Sequence, residues 1–411
     1  MNESSDDAWL SQPPRRPPAH YSFMNGLPED HRDIHSVSVQ SDGKVLIGGS
    51  YRIRKTNVSG GGIGRINADG TTDNTFMDGL SGPDNDVLSL AVQTDGKVLI
   101  GGHFMNVNGV SRNHLARLNA DGSLDDTFLS APIKPALARN RGRDAGPGPN
   151  NAVDCLAVQS NGKVLIGGRF NSVNYRDCKY FARLNPDGSL DSSFQVVTHA
   201  DHDWAGETVY SLAVQSDGKV LIGGNFGRCN HTAHRHVARL NADGTLDTSF
   251  LKGQEDGTNN YVAKVLLQSD GKVLIGGRFD RINGVACKSI VRLNRNGSLD
   301  RGFLNGMAGI SDDRNSWINS LAVQADAKVL IGGSFSTVNG VARHNIARLN
   351  PDGSLDDSFL RGLSGVNCGV NSIAVQSDGK VLISGGFWEV NGVVRHGFAR
   401  LNADGSLDAA F

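Results

Sequence analysis

At 411 residues, with 52 glycines, only 20% charged residues and a formal net charge of −1, the chain lacks the global charge that draws proteins to nucleic acid or an anionic membrane. No apolar run approaches the ~18 residues of a membrane helix. The five cysteines, at 155, 178, 229, 287 and 368, form no CxxC pair and read as free thiols of a reducing compartment.

Residues 1–20 contain Asp6, Asp7 and a PPRRPP run, with no apolar segment of the secretory type. They are predicted to be a disordered, polyproline-prone tail, and PPRRPP is also readable as a ligand for an SH3-like partner. A soluble, cytoplasmic, monomeric protein is expected, folded over 21–411.

One ten-residue string organises that fold. QSDGKVLIGG at 215–224 returns with little change from Gln40, Gln93, Gln159, Gln268, Gln324 and Gln376, and the lysines of successive copies lie 52 to 66 residues apart. Periods of this size mark an array of one supersecondary unit. In the fourth copy, residues 209–215 alternate as a strand, Ser216, Asp217, Gly218 and Lys219 make a hairpin turn, and 220–226 form a second strand. A third strand is predicted at 237–241, and after the turn at 242–245 a fourth at 246–250. Four antiparallel strands in a meander make one blade. Seven such units predict an all-β, seven-bladed β-propeller, whose closed ring removes exposed sheet edges.

The strings QxDGKVLIGG and ARLNxDGSLDxSF, with the VNGV turn between them, resemble the bacterial delta-sixty repeat over residues 23–411. The resemblance implies a seven-bladed propeller and no particular activity. Ala325-Asp326-Ala327-Lys328 departs from SDGK, and Ile383-Ser384-Gly385-Gly386 from IGG. At the ends, Phe23-Met24-Asn25-Gly26-Leu27 repeats Phe76-Met77-Asp78-Gly79-Leu80, and the chain stops at Leu407-Asp408-Ala409-Ala410-Phe411. The last strand therefore either completes blade 7 or closes blade 1.

The two faces differ. One is built from nearly identical SDGK and NADGS turns, whose Asp and Gly suit tight turns. Its Asn67-x-Asp69…Asp73 strings, and their copies, lack the further oxygen ligands and terminal Glu of a calcium loop, and read as Asx turns. On the other face the copies diverge. The return loop from closing Phe to first strand spans 11 residues before blades 1, 2 and 7, 25 before blade 3 and 15 before blades 4 and 6. The second-hairpin Asn-Gly also becomes Asn174-Tyr175 in blade 3 and Asn230-His231 in blade 4. Local rule-breaking of this kind marks candidate function, although neutral drift in a solvent loop reads the same way.

Three functional readings follow. A binding platform would use Tyr175, Arg176, Asp177, His202, Trp204, His231, Trp317, Asn319, Asn371 and Trp388 to hold a protein or small-molecule ligand on this face, near blades 3 and 4 and the channel mouth. An enzyme of lyase, cyclase or hydrolase type would use an acid/base site of His35, Asp154 and Tyr210, the residues just after the first Val or Ile of their blades. A metal could be held by His199, His202, His231 and His234, but histidines in loops are more commonly plain surface residues, so no cofactor is expected. Binding is the preferred reading.

Overall fold

The computed structural model describes residues 33–50, 62–130, 147–194, 196, 198–199, 207–252, 257–306, 309–310 and 316–411. The expected tail at 1–20 and the expected start of the fold at 21–32 lie outside them. Besides a small three-stranded sheet that joins Thr198–His199 to Arg228–Cys229 and Thr232–Ala233 of blade 4, seven three-stranded antiparallel sheets, one per blade, follow one another along the chain. In blade 4 they are Thr208–Val214, Val220–Asn225 and Val237–Leu240, each strand bonded to the next. The first strands of neighbouring blades pack on one another all the way round, those of blades 7 and 1 included. The ring is closed, and these first strands surround its channel.

The expected fourth strand is reduced to one bridge, Leu240 to Leu246 in blade 4, before the chain turns. Asp247 explains the difference. Its Oδ1 accepts hydrogen bonds from the Ser249 N–H and hydroxyl, at 3.0 and 2.5 Å, which curls the segment. Its Oδ2 accepts Lys219 Nζ at 2.7 Å and Arg239 Nε at 2.8 Å, tying the curl across the blade. The guanidinium of Arg239 then lies 4.5 Å over the ring of buried Phe250.

This clasp recurs in every blade. Asp73, Asp125, Asp191, Asp300, Asp356 and Asp408 each take the lysine of their own SDGK-type turn and the arginine of their own third strand. The other end of each arginine crosses to the next blade. Arg183 Nη1 donates to the Ala242 carbonyl at 2.6 Å, and Arg400 Nη1 to the Ala68 carbonyl at 2.8 Å, which carries blade 7 onto blade 1.

The two readings of ring closure are thereby separated. Leu407 bridges to Leu401, and Asp408 and Phe411 serve Arg400, so the last segment completes blade 7. Phe398 and Phe411 then pack with Ile34, Val45, Ile47 and Ile66 of blade 1. The core is layered between blades in this way throughout. The repeated Gly-Gly permits it: a Cβ on Gly223 would lie 2.6 Å from Cγ1 of Val262 in the next blade, and one on Gly224 would lie 2.1 Å from the Thr208 carbonyl oxygen. Between second and third strands each of blades 2 to 7 extends a small two-residue ribbon, such as Asn106–Val107 with Val110–Ser111. Among the described residues one short helix, Arg301–Gly306, interrupts the pattern. Among the described residues no helix is long and apolar enough to cross a membrane.

Candidate functional site

Each first strand carries one β-bulge near its start, at the same place in all seven blades. The pairing slips between Ile34 and Ser36, Val87 and Ser89, Val153 and Cys155, Val209 and Ser211, Val262 and Lys264, Ile318 and Ser320, and Val370 and Ser372. The extra residue is His35, Leu88, Asp154, Tyr210, Ala263, Asn319 or Asn371. A bulge re-aims the side chain it carries, and the glycine opposite each one is the position where a Cβ would strike the backbone just before the bulge. One repeated backbone device thus presents seven side chains of six kinds at the variable-face mouth of the channel.

Contacts run from blade to blade around this mouth. Tyr210 meets Tyr261 edge-on, with ring centroids 5.9 Å apart. Arg278 stands 5.9 Å over the Trp317 ring. Asn319 Nδ2 reaches Asn371 Oδ1 at 3.5 Å. His35 shares a 3.0 Å hydrogen bond with the Ser50 hydroxyl. Burial holds the His35 imidazole below its ordinary range, partly offset by the charges of Asp33 and Asp86. Burial raises the Asp154 carboxyl, against the pull of Arg169, whose Nη2 lies 3.3 Å from Asp154 Oδ1. Asp154 Oδ2 is buried with no hydrogen-bond partner. Blades 1 to 3 bring His35, Asp33, Asp86 and the Asp154–Arg169 pair to the mouth, and blades 4 to 6 bring Tyr210, Tyr261, Arg278 and Trp317.

The residues expected from the sequence divide between two zones. His35, Asp154, Tyr210, Trp317, Asn319 and Asn371 stand at the mouth. Tyr175, Arg176, Asp177, His231 and Trp388 stand on or beside the outer ribbons of blades 3, 4 and 7, with Trp388 55% exposed. His202 and Trp204 lie outside the described residues, as does the side chain of His199. Among the described residues no contact joins His35 to Asp154 or Asp154 to Tyr210, and no three His, Cys, Asp or Glu side chains gather in a metal-holding group. Sequence reasoning passed over Arg169 and Arg278. Both directly follow the Gly-Gly pair, a position that varies between copies as freely as the bulge does, and that variation was the available signal.

The altered hairpins keep the backbone of their glycine-bearing counterparts. Tyr175 and His231 sit at φ 63° and 66°, where Gly109 and Gly340 have 77° and 78°. A bulky residue there is strained by ~1–3 kcal/mol. Tyr175→Gly and His231→Gly are each expected to raise stability by roughly 1 kcal/mol, read as a higher urea midpoint. A lower midpoint for both would show that their side chains stabilise the fold.

On the repeated face, Asp69 Oδ1 accepts the Thr71 N–H at 2.9 Å and its hydroxyl at 2.7 Å, an Asx turn. A cavity of about 1100 Å³ opens there, lined in part by Gln159, Gln215, Gln268, Arg183, Lys219 and Arg239. Its Arg183, Lys219 and Arg239 already belong to the clasps, so we place the site at the opposite mouth.

Comparison with solved structures returns propellers. The WD40 β-propeller domain of Doa1 is 13% identical, with 89% of this chain and 94% of that one covered and a TM-score of 0.49. Virginiamycin B lyase from Staphylococcus aureus is 13% identical over 81% and 85% of the two chains, TM-score 0.46. Puromycin hydrolase is 13% identical over 93% and 54%, TM-score 0.49. No curated protein matches the sequence. The family model described as a β-propeller domain of unknown function, DUF5122, matches seven times, at 40–76, 93–128, 159–194, 215–250, 268–303, 324–359 and 376–411. One match per blade, each running from the shared glutamine to the phenylalanine beneath the clasp arginine, shows that the chain belongs to the DUF5122 β-propeller family.

Proposed function

We propose that this propeller is a binding module whose ligand seats over the channel mouth of the variable face. The observation that carries the reading is the ring of bulges: identical backbone in seven blades, non-identical side chains, and contacts that join Tyr210, Tyr261, Arg278 and Trp317 into one aromatic and cationic wall. Rigid aromatic anchors with an arginine are the residues that carry binding energy at recognition sites. Purified protein is to be melted with the small-molecule and the protein fractions of its host's extract, because a ligand at 100 times its Kd adds ~2.7 kcal/mol. Tyr261→Ala and Arg278→Ala are expected to abolish the shift while leaving the unliganded midpoint nearly unchanged. A shift that survives both changes rules out the mouth as the binding site.

A second reading rests on Asp154. Its raised proton affinity and unpaired Oδ2, beside an exposed arginine, suit a general acid. On this reading Asp154→Asn keeps the ligand-induced shift but abolishes chemical change in the bound molecule. A ligand recovered unaltered from wild-type protein removes the enzymatic reading.

A further inference from the structure

In the turns of the repeated face three substitutions change the charge, and all three fall in blades 3 and 5. Asn161 stands where the other SDGK-type turns carry Asp, Asn296 where the other NADGS-type turns carry Asp, and Arg295 where those turns carry Ala or Pro. The turns themselves are undisturbed. Asn161 Oδ1 accepts the Lys163 N–H at 3.1 Å, as Asp217 Oδ1 accepts that of Lys219, and Asn296 Oδ1 accepts the Ser298 N–H at 3.0 Å. Two negative charges are lost and a positive one is gained, with no structural need of the turn to explain it. A local rule broken in this way marks a functional position.

The cavity of about 1100 Å³ on this face is lined by Asn161 at one side and Arg295 at the other. Arg295 Nε donates to the Asp270 carbonyl at 2.5 Å, which lays the side chain across Gly271. Among the described residues no carboxylate pairs with its guanidinium. Arg183, Lys219 and Arg239 share the wall but are neutralised by the clasp aspartates. Asp217 is the one carboxylate on that wall among the described residues.

Gln159, Gln215 and Gln268 add three amides. Their backbones close the hairpins, the Gln215 N–H donating to the Lys219 carbonyl at 2.8 Å, so the turns make no use of the side chains. The Oε1 atoms of all three are buried without a hydrogen-bond partner. In blade 6 the same atom of Gln324 accepts from the clasp arginine, Arg348 Nη1, at 3.4 Å. With the oxygen turned inward, the N–H2 group is the end left for the cavity, and it only donates. Amide donors, an unpaired guanidinium and a single carboxylate make a wall suited to an anion.

We propose that this cavity is a second binding site, on the face opposite the mouth, that takes the phosphate or carboxylate group of a small molecule, with Arg295 as its anchor. Its volume is that of a small-molecule pocket. The proposal stands independently of the reading of the mouth.

Arg295→Ala and Asn161→Asp are the discriminating variants, because each restores the residue of other copies. Alanine keeps the carbonyl that accepts Arg239 Nη1, and aspartate keeps the acceptor for the Lys163 N–H. Their unliganded thermal midpoints are expected to stay near that of wild type. Wild type and both variants are to be titrated calorimetrically with sodium phosphate and, separately, sodium acetate, at constant ionic strength. Saturable binding of one anion by wild type is expected. Binding should be roughly ten- to hundredfold weaker in Arg295→Ala, the loss of a charge-assisted hydrogen bond, and weakened to a smaller degree in Asn161→Asp by the restored negative charge. The anion that binds names the class. Arg278→Ala, a change at the mouth, is expected to bind the anion as wild type does. The proposal is overturned by the absence of saturable binding in wild type, by undiminished binding in either Arg295→Ala or Asn161→Asp, or by loss of binding in Arg278→Ala, which would move the anion to the mouth.

Discussion

Removing residues 407–411 is expected to open the ring and cost more stability than any single substitution. Phe411 is 1% exposed, and losing a buried phenylalanine costs ~3–5 kcal/mol by itself. Asp408 leaves with it, stranding Arg400 and Lys380 without their carboxylate. The two losses share partners and will not add simply. Blade 7 would also present Phe398 and the face covering Ile34, Val45 and Ile66 to water. A large drop in urea midpoint, together with binding of a hydrophobic dye, is the expected result. An unchanged midpoint would mean that blade 7 is not held by this segment.

The second large effect belongs to Asp247. Asp247→Ala removes the shared acceptor of Arg239 and Lys219 and the two bonds that curl residues 247–249. Breaking a buried ion pair by deleting one partner costs ~3–5 kcal/mol, because the remaining charge is uncompensated. Lys219→Ala is expected to cost only ~1 kcal/mol, since its side chain is 30% exposed and behaves more like a surface partner. Comparing the urea midpoints of the two variants tests the ranking. Equal costs would show that the lysine, not the buried arginine, carries the clasp.

The same carboxylates set the acid limit of the fold. Burial pushes Asp300 upward, but hydrogen bonds from Lys272 and Arg292 outweigh it and hold its pKa at about 2. The corresponding aspartates of the other blades are likewise held below the ordinary carboxylate range. A depressed folded-state pKa contributes stability that is complete above the ordinary value near ~4 and lost as pH falls through the folded one. With one such group in every blade, the urea midpoint should fall steeply below about pH 4.

Much of the candidate site was visible as variation. His35, Asp154, Tyr210, Asn319 and Asn371 were singled out because their position changes along the copies, with asparagine alone recurring, and the bulge now supplies the geometric reason. The acid/base pairing of His35 with Asp154 expected from the sequence is joined by no contact among the described residues. Two residues at equivalent positions of different blades are placed by the ring, and the ring puts Asp33 and Asp86 beside His35 and Arg169 beside Asp154. Arg169 escaped notice because a single charged residue just after an apolar strand looks like ordinary drift until its surroundings are known.

The amino-acid sequence alone determined the seven-fold repeat, the hairpin turns, the first three strands of each blade and the contrast between a uniform and a variable face. These depend on period, turn chemistry and alternation, which act over a few residues. Only the tertiary structure decided that the fourth strand is a curl around an aspartate, that Phe411 completes blade 7, and that each arginine joins its own blade to the next. The curl and the completion of blade 7 depend on side-chain partners drawn from other strands of the same blade, 28 residues apart for Lys219 and Asp247, and the arginine bonds on partners in the next blade, 332 residues apart for Arg400 and Ala68. Local preference cannot encode the arginine bonds between blades 7 and 1, because those partners meet only when the ring closes.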